Sequence, residues 1–196
     1  MKSMRYCAIL AVILLMNQLA PSAERPSAAG TQHPYRQQYA KATFGPKAML
    51  GVGAGATVQH VRNSPHEWGR GPAGFGKRIG SAFGTHVVKN SIEFGVASVR
   101  HEEMGYRRSG KQGFGPRVKY ALVSTVVTRK TTTGKRTAAV GRMSGAMGSG
   151  LISRAWQPAR LHTVASGVAS GGMMLGVEAG THVAREFWPQ KHHPHS

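Results

Sequence analysis

The stretch GFGKRIGSAFGTHVVKNSIEFGVASVRHEE runs from Gly74 to Glu103, and its apolar residues recur at three and four: Phe75, Ile79, Ala82, Phe83, Val87, then Phe94 and Ala97, with Asn90 between. That spacing is one face of an α-helix. A second stripe, Val88, Ile92, Val96 and Val99, joins it toward the end, so the later half of the helix is expected to be buried on two sides. A helix covered on two sides is the central member of a bundle.

Working outward, the chain three times presents Phe and Gly followed by Pro or Lys and a basic residue, at Phe44-Gly45-Pro46-Lys47, Phe75-Gly76-Lys77-Arg78 and Phe114-Gly115-Pro116-Arg117. Proline at a first helical position has no N–H to leave unsatisfied, and glycine before it adopts a non-helical cap, so each is read as a helix start. The pattern predicts helices over 46–62, 74–103, 116–130, 137–155 and 159–187, the last two separated by Pro158. Residues 120–140 stay open between two readings. The β-branched run Val123 to Thr128 could instead be a strand, paired with residues near Thr137 to Val140 across the Thr-Thr-Thr-Gly-Lys-Arg turn. The expectation is an all-α, compact, Gly-rich bundle of about five helices.

Glycine recurs inside these helices although each costs about 1 kcal/mol relative to alanine. Gly51 and Gly55, Gly80 and Gly84, Gly141 and Gly145, Gly167 and Gly171, and Gly176 and Gly180 all stand four apart. Each pair shares a face and makes a flat groove for a neighbouring helix, the packing favoured in membranes. Insertion of the whole domain is nevertheless disfavoured, because Leu161 to Ala184 has few large apolar side chains and Ala48 to Val61 is too short to span.

Before the bundle, Lys2 and Arg5 precede the apolar run Cys7 to Met16, and small residues follow. This reads as a secretory signal peptide, residues 1–23, and places the protein in the periplasm or cell envelope. Residues 24–43, with Pro26, Gly30 and Pro34, read as a flexible lead-in to a helical domain at 44–188. The tail 189–196, with His192, His193 and His195, reads as a loose end able to bind a metal only weakly.

After removal of residues 1–23 the chain keeps 24 Lys and Arg against seven acids, a net charge of +17. Every acid is a glutamate, so mechanisms needing an Asp nucleophile, an Asp ligand or an Asp-buttressed histidine are excluded. Such charge favours anionic partners. Nucleic acid is not expected, since no zinc knuckle, aromatic RNA-binding pair or helix-turn-helix signature accompanies it. Phosphate-loop and serine-hydrolase patterns are missing too, and no cofactor is expected. The loop Arg107-Arg108-Ser109-Gly110-Lys111, between Tyr106 and Phe114, is the local candidate for contacting anionic head groups.

Four polar residues fall inside apolar helices: His86, Glu93, Glu178 and His182, with the phrase Gly-Thr-His-Val repeated at 84–87 and 180–183. Facing helices with Glu and His can hold a metal, but the Glu-x-x-His spacing of such bundles is missing. The plainer expectation is ion pairing, Glu93 with Lys89 and Glu178 with His182 or Arg185.

Gly105-Tyr106-Arg107-Arg108-Ser109-Gly110, Phe114, Arg117, Tyr120-Ala121, Val127-Thr128-Arg129, Ile152-Ser153, Pro158 and Glu186-Phe187-Trp188-Pro189 together resemble a group of exported bacterial proteins of unassigned function. The resemblance covers about residues 66–189. It implies an acidic residue and proline before an Arg-Tyr-Phe-Arg-Ser-Gly motif, and Asp after Trp-Pro; here Met104-Gly105 and Gln190 stand instead. A helical exported domain is implied, and no activity.

Three functions follow as expectations. The first is a non-enzymatic envelope protein whose basic surface meets an anionic membrane or envelope polymer, with homo-oligomerisation left open. The second is a periplasmic metal-binding protein or enzyme using the helix Glu and His. The third is an integral helical membrane protein.

Overall fold

A computed structural model describes residues 33–188. By contacts the chain divides into Met1–Pro34 and Tyr35–Ser196, and the bundle belongs to the second unit. The expected signal peptide, residues 24–32 of the lead-in and the histidine tail lie outside the described residues.

The elements are α1 (His33–Phe44), α2 (Pro46–Val61), α3 (Pro72–Arg100), α4 (Phe114–Val126), β1 (Val127–Arg129), β2 (Arg136–Ala138), α5 (Val140–Ser153) and α6 (Val164–Phe187). Short 3₁₀ turns stand at His66–Trp68 and Ala159–Leu161. The domain is an all-α bundle with a two-stranded hairpin. The central helix is α3, packed chiefly on α5 and α2, while α6 packs on α5 and α4.

Helix starts follow the glycine and proline signals. Gly45 caps α2 with Pro46 in its first turn, and Gly113, at φ 84°, precedes α4. At α3 the start lies earlier than expected, at Gly71-Pro72, which leaves Phe75-Gly76 inside the first turn. The third expected helix stops at Val126 instead of 130. β-Branched residues then continue as a strand, with Val127 opposite Ala138, Thr128 opposite Thr137 and Arg129 opposite Arg136.

Two expectations are corrected. From His33 to Phe44 the lead-in is a helix, although its sequence lacks apolar periodicity, because side chains on α3 hold it. Tyr39 sets its ring edge-on to Phe94 at 5.4 Å and shares a 3.0 Å hydrogen bond with Ser91, and Asn90 donates to the carbonyl of Ala42 and the hydroxyl of Thr43. The seam of α3 is also not its Phe and Ile stripe. Its buried positions are Gly74, Arg78, Ser81, Thr85, Asn90, Glu93 and Ala97, whereas Val99 is 79% exposed.

The cause is the closeness of the helices. A methyl on Gly141 would stand 2.8 Å from the Glu93 carbonyl oxygen, one on Gly145 2.8 Å from that of Lys89, and one on Gly171 2.9 Å from that of Ala146. Backbones this near leave no room for large side chains. The fully buried apolar residues among those described are five alanines, and the larger apolar side chains are displaced to the flanks and outer faces.

The glycine pairs therefore divide. Gly141 with Gly145 and Gly167 with Gly171 line the α3–α5 and α5–α6 seams, joined by Gly148 and Gly150, which the four-residue rule did not select. Gly84 makes ordinary contact with Trp156, while Gly51, Gly55, Gly80, Gly176 and Gly180 meet nothing and pack against no helix.

Candidate functional site

Loop 105–113 leaves α3 and returns to α4, and its glycines let it lie flat against the end of α6. Its residues converge on Glu186, whose carboxylate is 1% exposed. Tyr106 donates its hydroxyl to Glu186 at 2.6 Å, Ser109 donates both its amide, at 3.2 Å, and its hydroxyl, and the Arg117 guanidinium lies 3.5 Å away. Arg117 also donates to the Glu186 carbonyl, and Arg108 to that of Trp188 at 2.6 Å. Burial alone would raise the Glu186 pKa, but the hydrogen bonds from Ser109, Tyr106 and Arg117 outweigh it and hold the carboxyl below its usual range. Burial, then the neighbouring Glu186, pushes the Tyr106 hydroxyl up.

His182 lies one turn before Glu186, stacked on Tyr106 with ring centroids 4.5 Å apart and Nδ1 3.2 Å from the Thr125 hydroxyl. Burial, helped by Arg142 and Arg185, lowers its pKa to about 4. The imidazole is neutral at ordinary pH.

The loop expected as an open basic surface is thus a latch. Of its candidate residues Tyr106 and Arg108 are committed to α6, and Arg107 pairs with Glu103 at 2.7 Å. Lys111 lies 5.9 Å over the Tyr120 ring. Phe114 is 72% exposed and touches Phe187 at 5.1 Å. Beside it Trp188, 71% exposed, borders a shallow depression with Lys47, Arg108 and Arg185.

Around the other side of the loop, α4 and the hairpin enclose a cavity of about 150 Å³ whose lining includes Tyr106, Arg107, Lys111, Tyr120, Arg129 and Arg136. Lys119, Arg142 and the single carboxylate Glu103 also reach it.

Deeper in the bundle, four charges alternate across three helices. Lys89 is 2.5 Å from Glu93 and 3.3 Å from Glu178, and Arg142 is 2.7 Å from Glu178 and 3.8 Å from Glu93. Arg142 donates as well to the carbonyls of Ser124 and Thr125 at the end of α4. Arg142 Nε, beside Glu178 Oε1, and Glu178 Oε2, beside Lys89 Nζ, each sit at ion-pair distance but out of line for a hydrogen bond. Burial would lower the Lys89 pKa, yet Glu93 and Glu178 together raise it. The expected Lys89–Glu93 pair is present, but Glu178 pairs with Arg142 and Lys89 instead of His182 or Arg185, because it faces α5 and α3 while His182 turns to Thr125 and Tyr106. Arg142 escaped the sequence reading, although a lone charge in the Gly-, Ser- and Ala-rich α5 was a signal that could have found it.

His86 braces α1, its Nε2 3.1 Å from the Ala42 carbonyl, and burial lowers its pKa. The helix Glu and His proposed for a metal are therefore dispersed among three roles, and among the described residues no three His, Cys or Glu gather as a metal site.

Two further buried charges escaped the sequence reading. Arg78, fully buried, donates to the carbonyls of Ser64, Pro65 and Gly69 and to the Asn63 side chain, tying the 62–71 connection to α3. Glu102 accepts the Gly141 amide at 2.9 Å and the Arg100 guanidinium at 2.7 Å, placing a carboxylate at the α5 N-terminus, where the helix dipole favours it.

Compared with protein-family models, curated proteins and solved structures, the chain matches none.

Proposed function

We propose that the chain is a non-enzymatic exported protein of the cell envelope that seats on an anionic membrane surface. The observation that carries this reading is the end of α6, where exposed Trp188 stands with Lys47, Arg108 and Arg185 and exposed Phe114 packs on the adjacent Phe187. Aromatic rings with one apolar and one wet side belong at a lipid interface, and cations beside them meet anionic head groups. The nearest carboxylate, Glu186, is consumed by the latch.

The outer face of α6 continues in the same sense. Around its exposed side Val164 and Val168 stand on one edge and Met173 and Val177 on the other, with Gly172, Gly176 and Gly180 on the uncharged strip between them. An envelope polymer would leave these side chains in water; a bilayer covers them. No helix among the described residues is long and apolar enough to cross a membrane, which favours a peripheral seat over the integral alternative. The residues that carry the resemblance to exported bacterial proteins, Tyr106, Arg108, Ser109, Arg117 and Glu186 to Trp188, are also those of the latch.

The test is flotation with vesicles. Binding to phosphatidylglycerol-containing vesicles, weak binding to phosphatidylcholine alone, release by high salt and loss in Phe114→Ser with Trp188→Ser support the reading. Binding to an anionic polysaccharide with none to either vesicle would replace the membrane by a polymer.

A further inference from the structure

We propose that the cavity between α4 and the β1–β2 hairpin binds a phosphate-type group, a compact dianionic oxyanion carried on a lipid head group or free in solution. This deepens the surface reading by naming the head group, and rests on it only where the phosphate is lipid-borne.

Six cations reach the cavity. Arg107 is matched by Glu103 and Arg142 by Glu178, whereas Lys111, Lys119, Arg129 and Arg136 have no carboxylate partner among the described residues. Unmatched charge of that size calls for more than one negative charge, which separates a phosphate from a carboxylate.

The hairpin supplies a second, independent sign. Arg129 stands directly opposite Arg136 in the register, so their side chains leave the same face, and both line the cavity. Like charges in that relation destabilise an antiparallel pair. They do so here in a hairpin of only three paired residues on each strand. An oxyanion between two guanidinium forks turns the repulsion into two sets of charge-assisted hydrogen bonds. At about 150 Å³ the cavity has room for a terminal phosphate group.

The experiment uses the full chain with inorganic phosphate, pyrophosphate and acetate at matched ionic strength, followed by calorimetric titration and thermal melting. Phosphate or pyrophosphate is expected to bind and raise the Tm while acetate does neither. Arg136→Gln is expected to weaken binding by about tenfold or more. In the absence of phosphate, Arg136→Gln and Arg129→Gln are each expected to raise the Tm, a sign opposite to that of a merely structural arginine. Absence of phosphate and pyrophosphate binding in wild type, or equal affinity in Arg136→Gln, overturns the proposal.

Vesicles carrying phosphatidic acid or phosphatidylglycerol at equal surface charge separate the sources. Preference for phosphatidic acid that disappears in Arg136→Gln assigns the site to a lipid phosphate. Phosphate binding without vesicle binding keeps the cavity and removes the surface reading. Vesicle binding by wild type and variant alike, with no phosphate binding, removes the cavity and keeps the surface.

Discussion

Gly150 and Gly171 meet backbone to backbone, so that a methyl on the first would stand 2.7 Å from the amide nitrogen of the second. Neither helix can yield without breaking the seam that α5 and α6 share. Gly150→Ala is expected to destabilise the bundle by about 3 kcal/mol or more. Gly180→Ala, where nothing lies within 4 Å, is expected to stabilise it by up to about 1 kcal/mol through helix propensity alone. Urea unfolding of the two variants beside wild type checks both signs.

Removing the Glu186 charge tests the latch. Glu186→Gln keeps the shape but leaves Arg117 without its carboxylate and gives Ser109 and Tyr106 a poorer acceptor. A loss of about 3 kcal/mol is expected, while Arg107→Gln, on the exposed Glu103 pair, should cost under about 1 kcal/mol. Equal effects in chemical unfolding would refute the latch.

Stability should fall as pH drops below neutral. The His182 pKa is about 4 in the folded chain against 6.5 unfolded, so the unfolded chain takes up the proton first. Full stability is present above about 6.5 and is lost between 6.5 and 4, by at most about 3 kcal/mol. Glu186, held below 4.5, adds a loss in the same direction at lower pH. His182→Gln should flatten the first step and leave the second, read from melting temperatures across pH 3.5 to about 8.

Arg78→Lys retains the charge but not the fork that reaches four acceptors along 63–69. The expected cost is about 2–4 kcal/mol, with early hydrogen-exchange loss confined to residues 62–71. Uniform loss across the bundle would mean that Arg78 serves the core instead of the connection.

Helix α2 was legible because its start is written in Gly45-Pro46, and two seams were legible in Gly141 with Gly145 and Gly167 with Gly171, whereas α4 begins two residues before the Pro116 start that was read and α3 two before Gly74. Position-by-position burial was not legible. Periodicity assumes that the buried face is the apolar one, and on α3 close approach gives that face to Ser81, Thr85 and Glu93. Helix α1 was hidden for a related reason: it is held by Tyr39, Ala42 and Thr43 through partners on another helix. In the site, Lys89–Glu93 was readable because both stand on one helix, whereas Tyr106 and Glu186 meet across eighty residues of chain. No local pattern announces such a pair, so the loop looked like an open surface.

The alternating charges of the bundle also tie three of its helices into one electrical unit. Within the network α3 brings a matched pair, Lys89 and Glu93, while α5 brings the positive Arg142 and α6 the negative Glu178. Joining α3 to α5 alone strands a cation, and joining α3 to α6 alone strands a carboxylate. Within these four charges only α5 with α6 balances without α3, and those two helices are neighbours in sequence. Removing any one member therefore leaves a charge unmatched among α3, α5 and α6 together, so a defect on one helix is felt by the other two.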